Sequence, residues 1–154
     1  MNNEKVTSNQ GDIIYLTGAA GFVGQMLIRQ CESDDLVSKV YCPVRDKKEL
    51  SGIERFDSLL NRFTKCVFLK PENPLPSDVT LVLLNAYNIR FFTPVEVLLS
   101  ESVKPMVDIL DQAAHQKSQG NHIREIAVVL TAYVQPPLPF KQRPDNAVLF
   151  LLEG

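Results

Sequence analysis

The sequence feature that decides the predicted fold is the stretch Thr17-Gly18-Ala19-Ala20-Gly21-Phe22-Val23-Gly24. Three of the seven glycines in the chain lie in this stretch. An apolar run, residues 12–17, comes before it, and apolar residues with helical spacing follow from Phe22 to Cys31. This context predicts a buried strand, a tight turn and a helix, which is the setting in which such glycine spacing indicates a dinucleotide site.

Each glycine of the stretch has a distinct physical purpose in such a site. Gly18 permits the tight turn, Gly21 lets the backbone approach a pyrophosphate, and Gly24 lets the helix pack against the sheet. Backbone N–H groups from about Gly21 to Val23, at the positive end of the helix dipole, are then the expected donors to phosphate. The alternative is a sharp strand-to-helix turn that binds no ligand.

Five apolar runs predict the strands of the domain. Nearly unbroken apolar runs are typical of parallel strands that helices cover on both faces. We therefore expect an α/β fold with a Rossmann-type, doubly wound, mostly parallel sheet in the order 3-2-1-4-5, arranged as three αβα layers. The runs are residues 12–17, 39–45, 66–70, 80–85 and 125–131.

Prolines mark two further features of the chain, and a closing apolar segment is a third. Thr93-Pro94-Val95-Glu96 has the capping-box pattern with proline at the first helical position, and it predicts a helix over residues 94–116 with a kink near Pro105. The prolines between residues 71 and 76 predict a loop where a helix would normally connect strands three and four. Residues 147–152 are apolar and predict either an added edge strand or the start of a longer element.

Length and charge limit the function. A chain of 154 residues fits a single domain, residues 12–154, after a polar leader, residues 1–11. The net charge of −2 gives no support for nucleic-acid binding. No apolar run is long enough to span a bilayer, and the polar start is unlike a signal peptide, so we expect a cytoplasmic protein. Three cysteines without C-x-x-C spacing predict reduced thiols rather than a disulfide framework or a metal site.

The end of the second predicted strand indicates which cofactor is preferred. A carboxylate there would accept the ribose hydroxyls of NAD, whereas an arginine can pair with the extra phosphate of NADP. This chain has Arg45, followed by Asp46 and two lysines. We therefore expect NADP(H) to be preferred, with NAD(H) as the alternative because Asp46 could turn inward.

Residues 14–31 and 40–45 resemble the extended short-chain dehydrogenase/reductases, and within them the fatty acyl-CoA reductase or male sterility NAD-binding branch. Residues 85–91, 95–114 and 128–134 are similar to later segments of the same branch. The resemblance covers residues 12–135. It implies an oxidoreductase-like, NADP-binding domain of lipid metabolism, whose full-length relatives transfer hydride from NADPH to an acyl thioester.

The resemblance also implies roles for individual residues. Arg45 would bind the ribose phosphate, and Ala86 with Tyr87 would lie on the nicotinamide ribose side. Thr131 would occupy the family's Ser/Thr position, which donates a hydrogen bond to the substrate carbonyl. The residues that would bind the remainder of the dinucleotide are Gly18, Ala20, Gly21, Phe22, Val23 and Gly24.

The catalytic pair of such reductases is missing from this sequence. In these reductases a tyrosine protonates the carbonyl oxygen of the substrate. A lysine four residues further along the chain lowers the pKa of that tyrosine. The residues four positions after the four tyrosines are Ala19, Arg45, Phe91 and Pro137. Other departures from the family are Ser102 and Pro105, where asparagine and glycine are usual, and Leu130, where serine is common. The family's C-terminal substrate half is also absent, so we expect the chain alone to be inactive.

Two other hypotheses remain open. The first is a non-catalytic module derived from a short-chain dehydrogenase/reductase, which senses a nucleotide or binds a protein. The second is an enzyme whose missing residues come from another chain at the edge formed by residues 147–152. A binding titration with NADPH and NADH would distinguish a nucleotide-binding module from one that binds only protein.

Overall fold

The fold is built around a six-stranded sheet in the order β3-β2-β1-β4-β5-β6. A computed structural model of the chain describes residues 11–86, 94–129 and 149–152. The strands are β1 (Asp12–Leu16), β2 (Val37–Pro43), β3 (Cys66–Leu69), β4 (Leu81–Leu84), β5 (Glu125–Val129) and β6 (Leu149–Leu152). The helices are α1 (Phe22–Ser33), α2 (Gly52–Leu59), α3 (Val95–Leu98), a π turn (Leu99–Val103) and α4 (Lys104–Ser118).

The predicted parallel order is confirmed for the first five strands. β1 pairs in parallel with β2 and β4, β2 with β3, and β4 with β5. β6 runs antiparallel beside β5, with Val129 opposite Leu149. Residues 149–152 of the predicted apolar segment therefore form an edge strand. The predicted bounds of β2 were wrong, because the strand begins at Val37 and ends at Pro43.

Helices cover the sheet from both sides, as the three-layer prediction requires. On one face, α1 and α2 pack against β1, β2 and β3 through residues such as Ile28, Phe56 and Val40. On the other face, α4 packs through Ala113 against a second cluster that includes Tyr15 and Val82. Burial of these apolar side chains is the main force that holds the layers together.

A loop replaces the helix that usually connects β3 and β4, as the prolines predict. Residues 70–80 contain no helix. The backbone N–H of Leu75 donates to the side-chain oxygen of Gln112 on α4, at 2.7 Å, and its carbonyl accepts from Gln116. At the other end, the Asp78 carboxylate lies 3.0 Å from the Lys39 ammonium on β2. Side chains therefore supply the contacts that a crossover helix would otherwise make.

The long helical region is interrupted before Pro105 rather than at it. The N–H of Lys104 donates to the carbonyl of Leu99, five residues earlier, which closes a π turn. Pro105 has no N–H, so a regular helix cannot continue through it without losing a backbone hydrogen bond. The helical region also begins one residue later than predicted, so that Pro94 is the N-cap rather than the first helical residue. Thr93, the predicted cap, lies outside the described residues.

Candidate dinucleotide site

The turn after β1 requires glycine at position 18. Its φ is +69°, in the left-handed region that side chains rarely adopt. A Cβ there would lie 2.7 Å from the carbonyl oxygen of Asn85, at the end of β4. The carbonyl of Gly18 accepts the N–H of Gly21 at 3.0 Å, which closes the turn. The tight turn predicted for Gly18 is confirmed.

Gly24 lets the start of α1 rest directly on this turn. A Cβ at position 24 would lie 2.1 Å from the carbonyl oxygen of Gly18 and 2.7 Å from the Cα of Ala19. No side chain larger than hydrogen fits without a backbone shift. The start of α1 therefore packs closely on the turn after β1, rather than on a strand of the sheet.

The N-terminus of α1 presents unpaired backbone donors. Gly21 is the N-cap and makes no side-chain capping bond, and the first turn contains no acidic residue. The first bond back into the helix is from the N–H of Gln25 to the carbonyl of Gly21. Within the described ranges, the N–H groups of Phe22, Val23 and Gly24 thus have no protein acceptor. The predicted donor set is corrected by one position, because the N–H of Gly21 is already bonded within the turn.

The backbone around these donors is open to a ligand. A Cβ at Gly21 would meet only the carbonyl of Gly18, at 3.2 Å. Gly21, Phe22 and Val23 are all exposed, whereas Ala20 is half-buried. A concave backbone with free N–H groups at a helix N-terminus suits an anion such as a pyrophosphate.

Thr17 connects the glycine turn to the end of β4. Its hydroxyl oxygen accepts the N–H of Asn85 at 2.8 Å and the N–H of Ala86 at 3.1 Å. One side chain therefore fixes the relative position of two strand ends. This role was not predicted from the sequence, although a threonine placed directly before the first glycine was the available signal.

Two guanidinium groups lie near the end of β2. Because Tyr15 and Tyr41 are paired in the parallel β1–β2 ladder, Arg45 and the glycine turn lie at the same edge of the sheet. Arg45 is exposed, and its backbone carbonyl accepts a hydrogen bond from the guanidinium of Arg55 on α2. Arg55 was missed in the sequence, because its position depends on α2, whose capping box at Ser51 and Glu54 was also overlooked.

Asp46 is partly engaged by the protein at this edge. Its carboxylate accepts the N–H of Gly52 at 2.6 Å, at the start of α2. In the same turn, the capping box with Ser51 lowers the pKa of Glu54 because the Ser51 side chain and backbone donate to its carboxylate. Both acids therefore stabilise α2.

A small, mainly apolar pocket lies on the β4 side of the glycine turn. It has a volume of about 40 Å³, enough for one or a few water molecules. Ala86, one of the predicted nicotinamide-side residues, lines it. The other lining residues are Thr17, Leu84, Glu101, Ser102, Pro105, Met106 and Ile109.

Two predicted site residues, Tyr87 and Thr131, lie outside the described residues, as does Tyr133. Among the described tyrosines, Tyr15 is buried beneath the sheet surface, and this desolvation raises its pKa to about 12. Such a phenol is a poor proton donor at neutral pH. No cluster of potential metal ligands occurs within the described ranges.

The comparisons with known proteins agree with this geometry. The family model described as "Male sterility protein" matches residues 16–72, which include the glycine turn, Arg45 and Arg55. The chain has a Rossmann-type fold, and residues 16–72 are similar to this family.

The proteins to which this chain is similar include larger reductases. The chain is 29% identical over 110 residues to a carboxylic acid reductase of Neurospora crassa, which covers 61% of the chain. It is 25% identical, with a TM-score of 0.53, to the terminal R domain from the myxalamid PKS-NRPS biosynthetic pathway, over 68% of the chain and 32% of that domain.

The fold is shared more widely. An ADP-L-glycero-D-manno-heptose-6-epimerase of Helicobacter pylori matches 90% of this chain and 47% of its own, at 18% identity and a TM-score of 0.61. The chain spans between 2% and 10% of the lengths of the curated relatives it matches. No helix in the described ranges is long and apolar enough to cross a membrane.

Proposed function

We propose that this chain is the NADP(H)-binding domain of a reductase that acts on acyl thioesters. The observation that carries the proposal is the glycine cradle, in which the N–H groups of Phe22, Val23 and Gly24 have no protein acceptor within the described ranges. A pyrophosphate would satisfy these donors and would gain from the helix dipole. The cradle would comprise Gly18, Ala20, Gly21, Phe22, Val23 and Gly24.

The preference for NADP(H) is supported by the charges at the end of β2. Arg45 is exposed there, and Arg55 is held beside its carbonyl. One oxygen of the Asp46 carboxylate accepts the N–H of Gly52, which holds this side chain at the start of α2. Arginine pairs well with phosphate because its planar group donates two parallel hydrogen bonds. We assign both arginines to the phosphate on the adenosine ribose.

An acyl thioester is proposed as the substrate because of the family resemblance and the relatives. This chain is similar to a carboxylic acid reductase and to the terminal R domain of a PKS-NRPS pathway. When bound, the dinucleotide supplies the hydride. Thr17 holds the β1 and β4 ends together. From the family resemblance, Ala86 and Tyr87 would border the nicotinamide ribose, and Thr131 would donate a hydrogen bond to the substrate carbonyl.

The 154 residues do not contain the Tyr-x-x-x-Lys pair that protonates the product. We therefore expect the chain alone to bind the dinucleotide without reducing a fatty acyl-CoA. Robust turnover by the 154-residue chain would contradict this expectation. In this proposal, residues 12–154 form a single domain in the cytoplasm.

A titration with NADPH and NADH tests the cofactor assignment. We expect Arg45→Asp to weaken NADPH by about tenfold or more, because a charge-assisted phosphate contact is lost, and to leave NADH nearly unchanged. Arg29→Asp, on the exposed side of α1, is the matched control. Equal losses for both nucleotides would remove Arg45 from the phosphate site.

The missing tyrosine–lysine pair also favours a second candidate, a module in which nucleotide occupancy controls a protein partner. This candidate predicts binding without turnover even when the remaining parts of a reductase are supplied. Failure to bind either nucleotide would leave only a protein-binding role.

A further inference from the structure

The three cysteines of the chain come together in the core between α1 and the β2–β3 side of the sheet. Cys31 on α1 and Cys42 on β2 belong to one buried apolar cluster, and Cys66 at the start of β3 packs against it. All three thiols are free, and within the described residues they form no metal-binding group. Their spacing in the sequence does not indicate this meeting, because only the packing of a helix on two strands produces it.

Cys42 and Cys66 are neighbours on the same face of two adjacent strands. β2 and β3 pair in parallel, with Val40 opposite Cys66 and Cys42 opposite Phe68. Because side chains alternate between the two faces along a strand, Val40, Cys42 and Cys66 share one face. The Cys42 sulfur lies 3.6 Å from the carbonyl oxygen of Val40, so this side chain is directed back along β2 toward the level of Cys66.

The two thiols differ in access and in acidity. Cys42 is fully buried, whereas Cys66, on an edge strand of the sheet, is partly exposed. Hydrogen bonding with the Cys42 side chain lowers the pKa of Cys66, although burial and the Glu32 carboxylate oppose this shift. The same hydrogen bond, together with burial, raises the pKa of Cys42. Cys66 is thus the thiol of the pair that solvent reaches and that ionises first, and the thiolate is the form that reacts.

We propose that Cys66 is a site of thiol oxidation by hydrogen peroxide, with Cys42 as the second thiol that converts the product to a disulfide. In the first step the Cys66 thiolate attacks one oxygen of the peroxide. An S–O bond forms, the O–O bond breaks, and the hydroxide that leaves takes up a proton to become water. The product is a sulfenic acid at Cys66.

In the second step the Cys42 sulfur attacks the sulfur of this sulfenic acid. An S–S bond forms, the S–O bond breaks, and the hydroxyl group leaves as water with the thiol proton of Cys42. Two thiols are oxidised in all, and one peroxide is reduced to two waters. Neither step involves the dinucleotide, so the inference is independent of the proposed function.

The position of β3 at the edge of the sheet allows this bond to form. A disulfide requires its two Cα atoms to lie within about 7 Å of each other. Because Cys42 and Cys66 are diagonal rather than direct neighbours in the ladder, a small shift of one strand would bring them together. In the described sheet β3 pairs with β2 alone, so it can shift without breaking the ladders of β1. The new bond would lie on β2 shortly before Arg45.

Oxidation of the folded full chain by hydrogen peroxide tests the proposal. Trypsin cleaves after Lys39, Arg45 and Lys65, so the three cysteines fall in separate peptides. We expect mass spectrometry to show the Cys42 and Cys66 peptides linked, with loss of two hydrogen atoms from the intact chain and reversal by dithiothreitol. Before oxidation, iodoacetamide should modify Cys66 at least about tenfold faster than either buried cysteine.

Variants assign the role of each thiol. In Cys42→Ala, Cys66 should stop at the sulfenic acid, which dimedone traps. In Cys66→Ser, Cys42 should stay reduced because it is fully buried. Cys31→Ser is the matched control and should keep the linked pair.

The measurements on the unaltered chain decide the matter even where a core variant fails to fold. Three free thiols after peroxide treatment, or a link from Cys66 to Cys31, would overturn the proposal. Equal rates of alkylation at all three cysteines would also overturn it, because Cys66 would then have no preference over the buried thiols.

Discussion

At the scale of single residues, the glycines of the turn serve two separable purposes. Gly18 and Gly24 are required by the protein's own backbone, because a Cβ at either would clash with it. Gly21 is different, since a Cβ there would make only one tight contact, at 3.2 Å. The lack of a side chain at Gly21 therefore matters mainly for a ligand that approaches from solvent.

Paired alanine variants should separate stability from binding. Gly24→Ala should lower the free energy of unfolding by about 1–3 kcal/mol, because the backbone must move to admit the methyl group. Gly21→Ala should change stability much less and should weaken NADPH strongly. Urea denaturation and a nucleotide titration of each variant measure the two effects. A Gly21→Ala chain that binds NADPH normally would show that the pyrophosphate does not approach this position.

At the scale of elements, side chains from two sides hold the loop between β3 and β4. The Asp78 carboxylate accepts hydrogen bonds from the Lys39 ammonium at 3.0 Å and from the Tyr41 hydroxyl at 3.1 Å. Partial desolvation raises the pKa of Asp78, but the hydrogen bonds from Lys39 and Tyr41 outweigh it and the net pKa is lowered. Hydrogen bonds to Asp78 and to Tyr41 raise the pKa of Lys39.

These shifts predict a pH-dependent contribution to stability. A lowered carboxyl pKa stabilises the folded state above the unfolded-state pKa, and that contribution disappears as the pH falls through the folded-state value. Asp78→Asn should therefore cost at most about 1 kcal/mol near pH 7, because the ion pair is half exposed. The difference from the unaltered chain should shrink below about pH 4.

Denaturation at several pH values measures this difference. Asp57→Asn, an exposed position on α2, is the control for a lost surface charge. A difference for Asp78→Asn that persists unchanged at low pH would mean that the ion pair is not its source.

The elements show why sequence predicted some features and missed others. The parallel strands were predictable because each is an apolar run, and burial on both faces requires one. The helix α2 was missed because only Gly52 and Phe56 among its residues are buried, so the apolar pattern is weak. Pro105 predicted a kink, but not that Lys104 would bond to Leu99 and form a π turn. Arg55 depends on how α2 sits at the end of β2, which no local pattern encodes.

At the scale of the whole molecule, the described ranges form one sheet with helices on both faces and a candidate site at one edge. β1 lies between β2 and β4 and pairs with both. The proposed site uses the carboxyl ends of these three strands. A bound dinucleotide would therefore contact the two halves of the sheet at once, and binding would be linked to global unfolding.

This linkage predicts thermal stabilisation by the ligand. NADPH at about one hundred times its dissociation constant should add about 2.7 kcal/mol to the free energy of unfolding. For a domain of this size, that corresponds to a rise in Tm of about 5–10 °C. Thermal melts with NADPH, and with Arg45→Asp as the control, measure the effect. No shift at saturating NADPH would contradict binding to the folded state.

The π turn before Pro105 also has an evolutionary consequence. A π turn holds one residue more than an α-helical turn, so Leu99–Val103 is equivalent to a single-residue insertion in a regular helix. Each residue adds about 100° of rotation to an α-helix. In a regular helix, deleting one residue would therefore turn everything on one side of it to a new face. Here the wider π turn already absorbs the extra residue, so deleting one residue would restore a regular α-helical turn and leave α3 and α4 facing in nearly the same directions. This turn is thus a position at which the loss of one codon would leave the core of the domain unaltered.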